Sequence, residues 1–210
     1  MSISSPQRPS SVRTDHADRT FRDSAQDPVE QRRFPGWRWV AVWAAFPVAG
    51  LIGWTVGGRV DAVDAALVGG ALTAAGLAAV QWWAAKGALG RPAGWIGASA
   101  VGYAVGLAAG AALVGYDTDL GALALMGLVS GAALGAAQGL VLARQGRRAL
   151  ALAWALAMPV LFALGWSVAS VTGIGVDDQF TVFGAGGALV FMLLSGLLLA
   201  RFSSSGTRVA

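Results

Sequence analysis

The sequence contains no cysteine and a single histidine, His16. The absence of cysteine excludes disulfides, thiolate metal sites, iron–sulfur clusters and thiol nucleophiles. His16 lies in a polar N-terminal segment, so the apolar part of the chain offers no imidazole to haem, to a chlorophyll-like pigment or to a transition metal. The sequence also lacks a phosphate-binding loop, an HExxH motif and a Ser/His/Asp set. We therefore expect no cofactor, no metal and no enzymatic activity.

Charged residues are scarce. They make up 12% of the chain, against ~25% in ordinary globular proteins, while 56% of the residues are hydrophobic. The 30 glycines would weaken helices in water, but small residues line the contacts between membrane helices. A net charge of +4 would suit nucleic acid only if Lys and Arg clustered on a polar surface, whereas here they lie at the ends of apolar stretches. The composition is typical of an integral membrane protein that does not bind nucleic acid.

Six uncharged stretches are each long enough to cross a lipid bilayer, which takes roughly 20 helical residues. They run over residues 39–58, 65–85, 92–116, 120–143, 149–176 and 179–200. The sequence therefore predicts an all-α integral membrane protein with a six-helix transmembrane bundle. The bundle occupies residues 37–201, and a short cytoplasmic tail follows at 202–210.

Basic residues cluster in alternate connections between the apolar stretches. They are Arg32, Arg33 and Arg38 before the first stretch, then Lys86 and Arg91, then Arg144, Arg147 and Arg148, and finally Arg201 and Arg208. The other three connections carry Asp61 and Asp64, Asp117 and Asp119, and Asp177 and Asp178, with Arg59 as their one basic residue. Because Lys and Arg are retained on the cytoplasmic side during insertion, this pattern predicts a protein of the cell membrane with both termini in the cytoplasm.

Residues 1–36 are rich in Ser, Arg, Asp, Gln and Pro and have too few apolar side chains to build a core. We expect a largely disordered cytoplasmic arm. Residues 27–33 are the exception that the sequence leaves open, since Asp27 as N-cap, Pro28 at the first helical position and Glu30 at the third could start a short helix.

The apolar part of the chain has an internal period of 57 to 59 residues. The matching residues are Gly70, Gly127 and Gly184, each 57 apart; Gln81 and Gln138, 57 apart; and Trp95 and Trp154, 59 apart. We interpret the period as three parallel helical-hairpin repeats around an axis along the membrane normal. The alternative is coincidence in a glycine-rich sequence of regular topology.

Glycines recur at every fourth position in the third and fourth stretches. They are Gly102, Gly106 and Gly110 in the third and Gly127, Gly131, Gly135 and Gly139 in the fourth. Residues at this spacing share one helix face, and glycine lets another backbone approach closely. The stripes predict either an interface with a partner or a second copy, or packing among the helices of this chain. Under both interpretations, the third and fourth helices are expected at the packed centre.

Gln81 and Gln138 lie about one turn from the inner ends of the second and fourth stretches. An amide at such a position either contributes to a shared polar site or hydrogen-bonds a neighbouring helix as a packing clamp. Pro47 and Pro159 lie within apolar stretches, where the loss of one backbone hydrogen bond permits a kink.

Two sets of residues in the same order give the chain a resemblance to a group of proteins. The sets are Gly70, Gln81 and Trp95, and Gly127, Gln138 and Trp154. Over residues 64–201 the chain resembles small, uncharacterised multi-pass bacterial membrane proteins with hairpin repeats marked by Gly and Gln. The resemblance implies the fold class and no activity.

Two functions fit these observations. The glycine stripes, the uncharged stretches and the polar arm favour a noncatalytic membrane subunit or scaffold that packs with another membrane protein or with itself. Gln81, Gln138 and the two prolines favour the alternative, a transporter or binder of a small apolar or weakly polar solute. An ion-coupled carrier is disfavoured, because such proteins carry a charge within the membrane.

Overall fold

The computed structural model describes residues 36–85, 89–172, 181–182 and 185–204. Within these ranges the chain forms helices and no strands. The helices are α1 (Gly36–Gly57), α2 (Val63–Ala84), α3 (Pro92–Leu113), α4 (Leu120–Arg144), α5 (Arg148–Thr172) and α6 (Ala185–Ser204). The predictions for the arm before residue 36 and for the tail after residue 204 lie outside the described residues.

The prediction of an all-helical fold with six helices is confirmed for the part of the chain that the structure describes. Helices α1 to α5 are long and apolar enough to cross a bilayer. The apolar part described for α6, Gly186–Phe202, is shorter than the roughly 20 residues that a crossing takes. Five helices, and not all six, therefore meet the length that the sequence predicted.

The predicted bounds of the first four helices agree with the structure to within three residues, and α5 begins one residue before its predicted start. The sixth helix is different, because α6 begins at Ala185 and not at Gln179, and it ends at Ser204 and not at residue 200. Thr181 and Val182 are not helical. The sequence from residue 180 to 187 consists of β-branched, aromatic, glycine and alanine residues, of which all but alanine are weak helix formers.

Specific residues set the ends of the helices. Asp119 is the N-cap of α4, and its Oδ1 accepts a hydrogen bond of 2.7 Å from the backbone N–H of Ala122. Pro92 occupies the first turn of α3, where the missing N–H costs nothing. Gly146, with φ at +79°, closes the short turn between α4 and α5.

The helices form a closed ring. Each helix packs against its neighbours in the chain, and α6 packs against α1. The prediction that the third and fourth helices occupy the packed centre is therefore wrong, since α3 and α4 are adjacent members of the ring. Among the described residues the centre is filled by side chains, including Phe46, Tyr103, Phe162 and Phe191, whose ring centroids lie 5.4 to 5.5 Å from their neighbours.

The outside of the ring is also apolar. Leu152 and Leu156 of α5 are about two-thirds exposed, and similar residues lie on the outer face of every helix. A helix that is apolar on all sides is typical of a membrane span, because lipid replaces water around the outer face. The outer surface of the described part of the chain is therefore suited to contact with lipid, while its inner surface packs around the centre of the ring.

Candidate functional site

The glycine stripe of α3 lies against α4. A Cβ atom on Gly106 would come within 2.8 Å of Ser130 Cα, and one on Gly110 within 2.9 Å of the Met126 carbonyl oxygen. Gly102 would meet Ala137 Cβ at 2.7 Å. Backbone atoms approach this closely only where no side chain intervenes. The stripe of Gly102, Gly106 and Gly110 is thus used for packing within this chain.

The stripe of α4 lies against α5 in the same manner. A Cβ on Gly127 would come within 2.7 Å of the Phe162 carbonyl oxygen. The remaining members, Gly131, Gly135 and Gly139, face Met158, Pro159, Ala155 and Ala151 of α5. Both stripes therefore bring neighbouring helices of the ring together, which leaves neither of them open to a partner.

The two glutamines line one cavity at the centre of the ring, together with side chains from all six helices. The cavity has a volume of about 20 Å³, which is room for about one or two water molecules. Its polar lining consists of Gln81, Ser99, Tyr103 and Gln138, here called the central polar site. The structure thus brings together the two glutamines that the sequence singled out and adds two hydroxyls.

Gln138 makes hydrogen bonds with two neighbouring helices. Its Nε2 donates to Ser99 Oγ at 2.8 Å, and its Oε1 accepts from Trp154 Nε1 at 2.7 Å. Ser99 Oγ in turn donates to the Trp95 carbonyl at 2.8 Å. All four residues are buried. Gln138 therefore holds α3, α4 and α5 together.

Gln81 has no such partner. It is only 5% exposed and lines the same cavity, yet its amide makes no hydrogen bond with any residue in the described ranges. The amide carries two N–H donors and an acceptor oxygen. The indole Nε1 of Trp95 is buried without a hydrogen-bond partner among the described residues. Gln81 is thus available to a molecule in the cavity.

Thr181 and Val182 form a buried, non-helical piece of chain between α5 and α6. Thr181 Oγ1 lies 2.7 Å from Thr73 Oγ1 on α2, and the Thr181 carbonyl accepts a hydrogen bond from the Tyr103 hydroxyl. Thr73 Oγ1 lies 3.3 Å from the Ala49 carbonyl of α1. A buried non-helical segment requires such partners, because its polar groups are cut off from water.

This piece of chain lies deep in the ring. Thr73 comes ten residues after the start of α2 and Ala49 eight residues before the end of α1, so both lie about 12–15 Å along their helices from the ends. Glycine makes the room, since a Cβ on Gly69 would meet Thr181 Cγ2 at 2.7 Å. Sequence reasoning missed Thr181 because it placed this residue in a helix; the glycines that follow, at 184, 186 and 187, were the available signal.

The chemistry of the central polar site is that of neutral donors and acceptors. Its side chains are two amides and two hydroxyls, and the rest of the lining is aliphatic or aromatic. No group of His, Cys, Asp or Glu that could hold a metal ion occurs among the described residues. The site can therefore hydrogen-bond an uncharged molecule, and it presents no charged side chain to an ion.

No protein-family model, no curated protein and no solved structure matches this chain.

Proposed function

We propose that this protein is a membrane transporter for a small, uncharged, hydrogen-bonding solute that binds at the centre of the helix ring. The observation that carries the proposal is Gln81, a buried amide that lines the cavity without a partner among the described residues. A solute with matching donor and acceptor groups can supply the hydrogen bonds that the described residues do not give to this amide.

The glycine stripes no longer favour a subunit or scaffold, because both are used within the chain. Association with another membrane protein or with a second copy stays a prediction. The solute hypothesis gains support, because Gln81 and Gln138 are far apart in sequence and yet line one cavity.

The solute is uncharged and small. An ion in this cavity would lose its hydration without gaining an opposite charge, which is prohibitively costly in an apolar interior. The present volume of about 20 Å³ admits only about one or two waters, so a larger solute requires the lining side chains to move. We infer that the described conformation is a closed one.

The cavity lining supports the three-hairpin interpretation of the internal period. It contains two sets of residues at the repeat spacing: Phe46, Tyr103 and Phe162 from α1, α3 and α5, and Leu77, Leu134 and Phe191 from α2, α4 and α6. Three hairpins around a common axis place equivalent residues at the same depth around that axis. The cavity then lies on the axis, where a solute crossing the membrane would pass.

Hydrogen bonds of the buried tryptophans follow the same repeat. Trp154 donates to Gln138 of the preceding helix. Trp39 donates to the Met192 carbonyl of α6 at 3.0 Å and lies 3.4 Å from Ser195 Oγ, which stands 57 residues after Gln138. The third pair at this spacing is Trp95 with Gln81, and each of them lacks a partner among the described residues.

We further propose that the ends of the helices carrying Arg91, Arg144 and Arg201 face the cytoplasm, because Lys and Arg mark that side of a membrane protein. The N-cap of α4, Asp119, then lies on the outer side with the other aspartates. Both termini are cytoplasmic in this orientation.

The transport proposal can be tested with the full chain reconstituted in phosphatidylcholine vesicles, following the entry of urea by light scattering. Urea is a suitable probe because it is small, uncharged and both donates and accepts hydrogen bonds. We expect faster entry than into protein-free vesicles, and we expect Gln81→Leu to remove most of the difference. The matched control is Gln145→Leu, which changes a glutamine outside the cavity lining.

An entry rate equal to that of protein-free vesicles would contradict the proposal. So would a Gln81→Leu variant that transports urea as fast as the wild-type protein. Glycerol, which is larger, should enter more slowly than urea through the same protein.

A further inference from the structure

A second, larger concavity lies on the outer face of the ring between α3 and α4. It is a groove of about 630 Å³, lined on α3 by residues from Ala93 to Val105 and on α4 by residues from Ala133 to Arg144. We call it the α3–α4 groove. Gly94 and Gly97 form part of its wall, and a Cβ on either glycine would have no atom within 4 Å. These two glycines therefore widen the groove and do not pack against another helix of this chain.

The groove is apolar along its length and basic at one end. Arg144, in the last turn of α4, is exposed and is the one charged residue of the lining. Arg91, the N-cap of α3, and Arg147, in the turn after α4, belong to the same end of the ring. Partial burial lowers the pKa of the Arg147 guanidinium, but arginine keeps its charge in proteins.

The length of the groove indicates what it holds. From Ala93 to Val105, which stand twelve positions apart in α3, it runs for about 18 Å. The hydrocarbon core of a bilayer is about 30 Å thick, so the groove covers roughly one leaflet and begins at the basic end. A partner helix that crosses the membrane would contact a groove along the whole thickness. The acyl chain of one lipid spans only about half of the thickness of the hydrocarbon core.

We propose that the α3–α4 groove binds an anionic phospholipid of the leaflet at the basic end, with an acyl chain along Gly94, Gly97 and Val101 and the phosphate at Arg144. The apolar wall makes the van der Waals contacts with the acyl chain that neighbouring lipids would otherwise make. Arg144 forms a charge-assisted hydrogen bond with the phosphate. This site requires the membrane insertion proposed above but does not depend on the solute.

The test uses the full chain, purified in mild detergent and mixed with phosphatidylglycerol or phosphatidylcholine of identical acyl chains. Native mass spectrometry counts the lipids that remain bound. We expect the wild-type protein to retain phosphatidylglycerol preferentially. Arg144→Gln should lower that preference about fivefold, the factor expected for one basic residue at an anionic lipid surface, while Arg59→Gln, a basic residue outside the groove, should preserve it.

A second pair of variants tests the acyl chain. Gly97→Leu fills the groove and should reduce retention of both lipids, whereas Ala79→Leu, on an exposed position of α2, should leave retention unchanged. Equal retention of the two lipids by the wild-type protein would overturn the proposal. So would a dimer or a bound membrane protein that excludes lipid and dissociates in Gly97→Leu. Urea entry should be unaffected by Arg144→Gln, so failure of either proposal is distinguishable from failure of the other.

Discussion

Gln81 and Gln138 stand 57 residues apart and occupy the same kind of place in α2 and α4, yet their surroundings differ. Gln138 makes two side-chain hydrogen bonds, to Ser99 and from Trp154, whereas Gln81 has none with the described residues. The first residue holds three helices together. The second faces a cavity with hydrogen-bonding groups that the described residues do not use, so a molecule in the cavity can bind them.

This difference predicts unequal effects of the same substitution on stability. Gln138→Leu should lower the free energy of unfolding by about 1–3 kcal/mol, since interhelical hydrogen bonds contribute ~0.6 kcal/mol each on average and the Trp154 N–H is left unpaired. Gln81→Leu should be close to neutral or stabilising, because it removes a polar group without a partner. Unfolding in mixed detergent micelles, followed by tryptophan fluorescence, measures both. An equal loss in the two variants would contradict this assignment of roles.

The sequence identified both glutamines but not their partners. Ser99, Tyr103 and Trp154 could not be assigned to the site, because the helices are apolar on all sides and their pattern does not indicate which face turns inward. Small residues gave the only rotational signal, and it was ambiguous. The structure resolves it by placing both glycine stripes against neighbouring helices.

At the scale of the helices, close packing through glycine sets the spacing of the ring. Gly127→Ala should destabilise the protein by about 1–3 kcal/mol, because the new Cβ would lie 2.7 Å from a carbonyl oxygen of α5. Gly97→Ala is the matched control, since its Cβ enters open space and alanine favours a helix by up to ~1 kcal/mol over glycine. Thermal unfolding of the two variants in the same detergent should give shifts of opposite sign. Similar shifts would show that the α4–α5 contact is looser than described.

The sixth helix does not begin where the proposed repeat would place it. α2 and α4 begin at Val63 and Leu120, 57 residues apart, and the same spacing would start a third helix at residue 177. α6 begins at Ala185, and Thr181 lies in the interior with Thr73 and Tyr103 as partners. The aspartates at 177 and 178 predicted an outer turn. No charged residue stands between them and α6, so the sequence did not indicate that Thr181 lies in the interior of the ring.

The burial of Thr181 can be tested because the chain has no cysteine, so that a single substitution introduces the only thiol. Thr181→Cys should resist a membrane-impermeant maleimide in folded protein and react after unfolding. Asp117→Cys, at an exposed position between α3 and α4, should react in both states. Rapid labelling of the folded Thr181→Cys variant would place residue 181 in an exposed connection instead.

At the scale of the whole molecule, hydropathy and charge predicted most of the architecture. Each helix is apolar over a length that the flanking Arg and Asp residues delimit, so the number and order of the helices could be read from the sequence. Closure of the ring by α1 and α6 could not be read, because it depends on contacts between residues such as Trp39 and Met192, 153 positions apart. The cavity is a consequence of that closure.

The ring, the cavity and the unpaired amide together lead to the proposal that a small uncharged solute binds beside Gln81. The side-chain amide resonances of the glutamines report this binding directly when the full chain, labelled with ¹⁵N-glutamine in detergent micelles, is titrated with urea. Gln81→Leu identifies the resonance of Gln81 by its disappearance. We expect the Gln81 resonance to shift with urea in a saturable manner while that of Gln145, outside the cavity, stays in place. A Gln81 resonance that does not respond, or that responds no more than Gln145, would contradict binding at the centre of the ring.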